Sequence, residues 1–115
     1  MEAEIIKRLR FECFGFFDFG IGGRFIGTNQ IGTAALKNNN DGISLLSDST
    51  GNLIGNGTAS GRNLISGNGM TGIYLNANAN QVLGNYIGTD TSGALAFGNG
   101  ANGVQIDAAA NNVIG

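Results

Sequence analysis

Asn68-Gly69-Met70-Thr71-Gly72-Ile73-Tyr74-Leu75 decides the fold of this chain, because its pattern occurs three times. It returns as Asn38-Asn39-Asn40-Asp41-Gly42-Ile43-Ser44-Leu45 and as Asn99-Gly100-Ala101-Asn102-Gly103-Val104-Gln105-Ile106. The common pattern is Asn, three residues, Gly, a β-branched residue, any residue, then Leu or Ile. It predicts a turn followed by a short strand with two apolar side chains on its inner face.

Two further strand types flank this one in a fixed order. The first is Phe25-Ile26-Gly27-Thr28, Leu64-Ile65-Ser66-Gly67 and Tyr86-Ile87-Gly88-Thr89. The other is Asn52-Leu53-Ile54-Gly55, Gln81-Val82-Leu83-Gly84 and Asn112-Val113-Ile114-Gly115. The order makes three coils, at 25–55, 63–84 and 86–115, each with three short strands. The outer two carry matching extra segments, Asn29 to Leu36 and Asp90 to Phe97, which the middle coil lacks.

One such strand buries almost nothing alone. Coils stacked about 4.8 Å apart let each strand pair with those above and below. Ile26, Ile65 and Ile87 then form one inner column, and Ile43, Ile73 and Val104 a second, with Leu45, Leu75 and Ile106 beside it. Ile54, Leu83 and Ile114 are expected to form another. Gly42, Gly72 and Gly103 are expected to stack at one corner. Asn at equivalent positions can join side-chain amides into a ladder. The candidates are Asn63 over Asn85, and Asn38, Asn68 and Asn99.

Composition agrees with a solenoid. The 115 residues include 21 Gly, no Pro, no His and no Trp, and only 12% are charged. The regular Ile, Leu and Val supply the buried residues that a disordered Gly-rich linker would lack. A net charge of −2 gives no electrostatic footprint for nucleic acid. Cys13, the single cysteine, cannot form an internal disulfide, and without His no zinc site is expected. No cofactor or metal is expected, and no window reaches the ~18 apolar residues of a membrane span.

Residues 1–24 differ from the repeats. Ile6, Leu9, Cys13 and Phe16 fall on one face of a helix, with Gly15 a plausible stop. We expect an amphipathic helix capping the first coil, since an open coil end exposes core and strand edges. Gly20-Ile21-Gly22-Gly23 reads as a flexible joint, so the solenoid domain is expected over 25–115. The N-terminus has no signal-peptide pattern, being interrupted by Glu2, Glu4, Lys7, Arg8 and Arg10.

From Asn63-Leu64-Ile65-Ser66-Gly67-Asn68 through Asn85-Tyr86-Ile87-Gly88-Thr89-Asp90 to Gly98-Asn99-Gly100-Ala101-Asn102-Gly103-Val104, the chain resembles the right-handed parallel β-helix repeat proteins. These form the pectate-lyase-like superfamily, which includes polysaccharide lyases and hydrolases, phage tailspikes and many repeat proteins. The resemblance covers 25–115 and implies an all-β, right-handed parallel β-helix of about three coils. It also implies a secreted or surface bacterial protein. Fold does not fix function.

The residues do not spell out a reaction. A glycoside hydrolase needs two carboxylates a few ångströms apart. Asp41, Asp48, Asp90 and Asp107 lie in different columns, and nucleophilic triads fail for want of His. If the strands alternate, Ser44, Tyr74 and Gln105 face outward as one column and are the expected binding residues. Phe25, Leu64 and Tyr86 form another, which the inserted segments could fold back to cover. The expected function is a non-catalytic structural or adhesive module whose partners are carbohydrate or cell-surface protein, with end-to-end self-association at its open edge. The alternative is a piece of a polysaccharide lyase or glycoside hydrolase.

Overall fold

The computed structural model describes residues 20–36, 38–46 and 48–115. The expected N-terminal helix therefore lies outside the described residues. Among the described residues ten short strands follow one another: β1 Gly20–Ile21, β2 Phe25–Ile26, β3 Ile43–Leu46, β4 Leu53–Ile54, β5 Leu64–Ile65, β6 Ile73–Asn76, β7 Gln81–Val82, β8 Tyr86–Ile87, β9 Val104–Ile106 and β10 Val113–Ile114. They form three parallel sheets, in the orders β1-β4-β7-β10, β2-β5-β8 and β3-β6-β9. Each sheet takes one strand from each successive coil, so the chain is an all-β parallel solenoid of about three turns.

The inner columns are a continuous stack. Ile26, Ile43, Leu45, Ile54, Ile65, Ile73 and Leu75 are all fully buried. Register places Ile26 on Ile65 on Ile87, and Ile43 on Ile73 on Val104. Burial of each such side chain stabilises the fold by about 1.5–3 kcal/mol, and no coil could bury them without its neighbours.

Two expectations are corrected. Gly20-Ile21 is not a joint but the first strand of the four-stranded sheet, paired with Leu53 and Ile54. Ile21 packs into the core at 6% exposure. The second correction is a register slip of one residue. Val82, not Leu83, stands between Ile54 and Ile114. A slip of one reverses which side chains face inward, and Val82 is indeed buried while Leu83 is only half-buried. Leu83 occupies the slot of Gly55 and Gly115. All three donate their N–H to the carbonyl of the preceding coil's core residue: Gly55 to Ile21, Leu83 to Ile54, Gly115 to Val82.

The asparagine ladders are present. Asn38 Nδ2 donates to Asn68 Oδ1 at 2.7 Å, Asn68 Nδ2 to Asn99 Oδ1 at 2.9 Å, and Asn63 Nδ2 to Asn85 Oδ1 at 2.9 Å. A third ladder was not anticipated: Asn52 Nδ2 donates to Asn80 Oδ1 at 2.9 Å, and Asn80 N–H to Asn112 Oδ1. In each ladder the acceptor oxygen also takes a backbone N–H from the coil before. Spare Nδ2 protons go to carbonyls of core residues, Asn63 to Ile21, Asn68 to Ile26, Asn85 to Ile54 and Asn99 to Ile65. Thus the corners hide polar side chains with most of their hydrogen bonds made, although Asn112 Nδ2, at the end of the third ladder, is buried with no partner among the described residues.

Gly42, Gly72 and Gly103 do stack. The cause is close approach, since none of the three has positive φ. A Cβ on Gly42 would lie 2.8 Å from Gly72 O, and one on Gly72 would lie 2.6 Å from Gly103 O.

Candidate functional site

Two outward surfaces carry side chains able to meet a ligand. The first is the β3-β6-β9 sheet. Ser44, Tyr74 and Gln105 stand in register across it. They do not offer equal access. Ser44 is fully buried, and its hydroxyl donates to Asp41 Oδ2 at 3.0 Å. Asp41 Oδ1 in turn accepts the Thr71 N–H at 3.0 Å, so this carboxylate ties two coils together. The expectation that Ser44 is available for contact is therefore corrected.

Tyr74 is half-buried with its phenol at the surface. The phenol donates to Asp107 Oδ2 at 3.0 Å and accepts from Asn76 Nδ2 at 3.4 Å. Beside it, Gln105 Oε1 accepts from Asn102 Nδ2 at 2.9 Å and from the Thr71 hydroxyl at 3.4 Å. Among the described residues Gln105 Nε2 donates to no partner, which leaves it two donor protons. The result is an aromatic ring on a rigid parallel sheet, bordered by amides and one exposed carboxylate.

The second surface is built by the inserted segments. Both fold back on the strand before them by the same bonds. Thr28 bridges Ala35 and Thr89 bridges Ala96, both antiparallel. Leu36 N–H donates to Gly27 O and Phe97 N–H to Gly88 O, each at 2.9 Å. One acceptor side chain anchors each turn. Asn29 Oδ1 takes the N–H groups of Thr33 and Ala34, and Asp90 Oδ1 takes those of Ser92, Ala94 and Leu95 together with the Ser92 hydroxyl. The Ser92 hydroxyl foremost, with those amides, holds the Asp90 carboxyl below its ordinary value against an opposing desolvation effect.

These loops come from the first and third coils and meet above the middle one. A Cβ on Gly32 would collide with both Thr91 Cγ2 and Leu64 Cδ2. Leu64 is consequently buried, whereas Phe25 keeps 37% of its surface exposed and Tyr86 is half-buried. Beside them opens a shallow groove of about 210 Å³. On one wall the Arg62 guanidinium lies 4.2 Å from the Tyr86 ring centroid, and its Nε donates to Gly84 O at 3.2 Å. Sequence reasoning did not pick out Arg62. The available signal was one Arg just before the uncharged middle coil, which lies between two coils with matching insertions.

Among the described residues, no helix is long and apolar enough to cross a membrane. No group of three or more carboxylate or thiol side chains gathers there either. No family model matches the chain, and neither curated proteins nor solved structures give a match. A functional reading therefore stands on the fold and on these two surfaces.

Proposed function

We propose that this chain is a non-catalytic structural or adhesive β-solenoid module of a secreted or surface bacterial protein, and that its β3-β6-β9 face contacts glycans. The observation that carries the reading is the Tyr74 phenol, fixed between Asp107 and Asn76 on a rigid sheet. A sugar ring can stack on such a ring while its hydroxyls bond to neighbouring amides and carboxylate. The placement in a secreted or surface protein rests on the resemblance of the repeats to β-helix proteins. A glycan array with the full chain is the test. Binding reduced at least tenfold by Tyr74→Ala, with the melting curve retained, is the expected result. Equal binding by Tyr74→Ala overturns the assignment of this face.

A reducing-sugar assay checks the alternative, a polysaccharide lyase or hydrolase segment. Turnover abolished by Asp41→Asn or Asp107→Asn would sink the non-catalytic reading. The proposal includes end-to-end association. Ile106, Val113 and Ile114 in β9 and β10 are 43%, 51% and 47% exposed on edge strands, which favour pairing with another chain. Sedimentation that stays monomeric at high concentration contradicts it.

A further inference from the structure

We propose that the groove lined by Phe25, Arg62, Tyr86 and Thr91 is a binding site for a small monocarboxylate with a compact apolar body, its acid group on Arg62 and its body against Phe25. This site is separate from the Tyr74 face and does not depend on it.

Arg62 is the cation that lines this groove. A guanidinium has five N–H donors and holds its charge at any physiological pH. One of these, Nε–H, is engaged by Gly84 O. Among the described residues, the remaining four make no hydrogen bond and Arg62 forms no salt bridge. The group is nevertheless held in place. Its Cζ stands 4.2 Å from the centroid of the Tyr86 ring, which is crowded on its own account by the neighbouring loop, since a Cβ on Gly93 would stand 3.0 Å from Tyr86 Cζ. Stacking and one hydrogen bond fix the side chain before a ligand arrives, so little rotamer freedom is lost on binding. A planar fork with free donors matches a carboxylate in geometry and charge.

The remaining walls define the body of the ligand. The exposed ring of Phe25 supplies apolar surface, Leu64 beneath it being buried, and Ala59 and Thr91 also line the groove. Among the described residues no Asp or Glu lines the groove, so an anion meets no like charge from them. The volume falls below the ≈ 300–1,000 Å³ typical of drug-sized ligands, which suits one ring or one branched chain. A single cation complements a monoanion. A free phosphate or sulfate would leave the apolar wall unused.

The test is NMR titration of the full chain with cyclohexanecarboxylate and, as a neutral isostere, cyclohexanecarboxamide. The carboxylate is expected to shift the amide signals of Leu64, Tyr86 and Thr91 saturably, with Kd on the order of 1 mM. The carboxamide should bind at least tenfold more weakly, and Arg62→Met should lose at least tenfold for the carboxylate. Arg62→Lys should retain part of the affinity, having the charge without the fork. If Arg62→Met fails to fold, the carboxylate-to-carboxamide ratio on the unaltered chain decides alone. Equal binding of the two probes, no saturable shift, shifts confined to the Tyr74 face, or equal affinity for inorganic sulfate would each overturn the proposal.

Discussion

Asn68 gives both its side-chain and its backbone N–H to a single atom of Asn99, Oδ1, at 2.9 and 3.0 Å. Its own Oδ1 accepts from Asn38, and its Nδ2 also reaches Ile26 O. One buried side chain thus joins three coils. Asp at this position would keep the acceptor but lose both side-chain donations and bury a charge. Asn68→Ala removes three side-chain hydrogen bonds, to Asn38, Asn99 Oδ1 and Ile26 O, each worth about 0.5–1.5 kcal/mol net. The expected loss is about 1.5–4 kcal/mol, and more for Asn68→Asp. Chemical denaturation with both variants checks this. A loss below 1 kcal/mol would mean the ladder contributes little.

Val82 and Leu83 separate the two possible registers of the middle coil. Val82 is buried against Ile54, and Leu83 points away from the core. Val82→Ala removes buried methyl groups at ≈ 0.8 kcal/mol per carbon and leaves a cavity, about 2 kcal/mol together. Leu83→Ala should cost clearly less, although it removes more atoms. A larger loss for Leu83→Ala in parallel urea melts would restore the register expected from sequence.

That reversal shows what the residues could disclose. The Gly-Ile-x-Leu strands aligned correctly because their corner glycine and both apolar positions recur at equal spacing. The third strand type did not, because its alignment was anchored on Gly84. Gly84 has φ of +68 and serves the turn, but it sits one place later than Gly55. Anchoring on Asn80, whose side chain must pair with Asn52 and whose N–H must reach Asn112, gives the true register. Burial of Ser44 was hidden for a different reason. Alternation tells which way a side chain points, not what covers it. The Arg62 groove was harder still, since Phe25, Arg62, Tyr86 and Thr91 come together only when the coils stack.

Gly72 and Gly98 distinguish crowding from conformation. At Gly72 a Cβ would stand 2.6 Å from Gly103 O and 2.9 Å from Asn99 Nδ2, groups fixed by the sheet and the ladder. Gly72→Ala should cost about 1–3 kcal/mol through forced backbone shifts. Gly98 has open space and no positive φ. There, Gly98→Ala restricts only the unfolded chain and should add about 0.4–1 kcal/mol of stability. Thermal melts of the two single variants should move in opposite directions.

Asp90 and Asn29 do the same work in matching loops, one charged and one neutral. Because folding lowers the Asp90 pKa, its contribution is present above the unfolded value, near 3.9, and is lost as pH falls through the lower folded value. Asp90→Asn should keep the loop closed at neutral pH, as Asn29 does with the N–H groups of Thr33 and Ala34. It should also remove that part of the acid-induced opening. Amide hydrogen exchange at Ala94 and Leu95, followed from pH 6 down to about 2, reads both effects. In the parent chain protection should fall at the acid end, and in Asp90→Asn it should stay flat once intrinsic exchange is corrected for. A variant that loses protection already at pH 6 would show that the charge, rather than the shape of the acceptor, closes this loop.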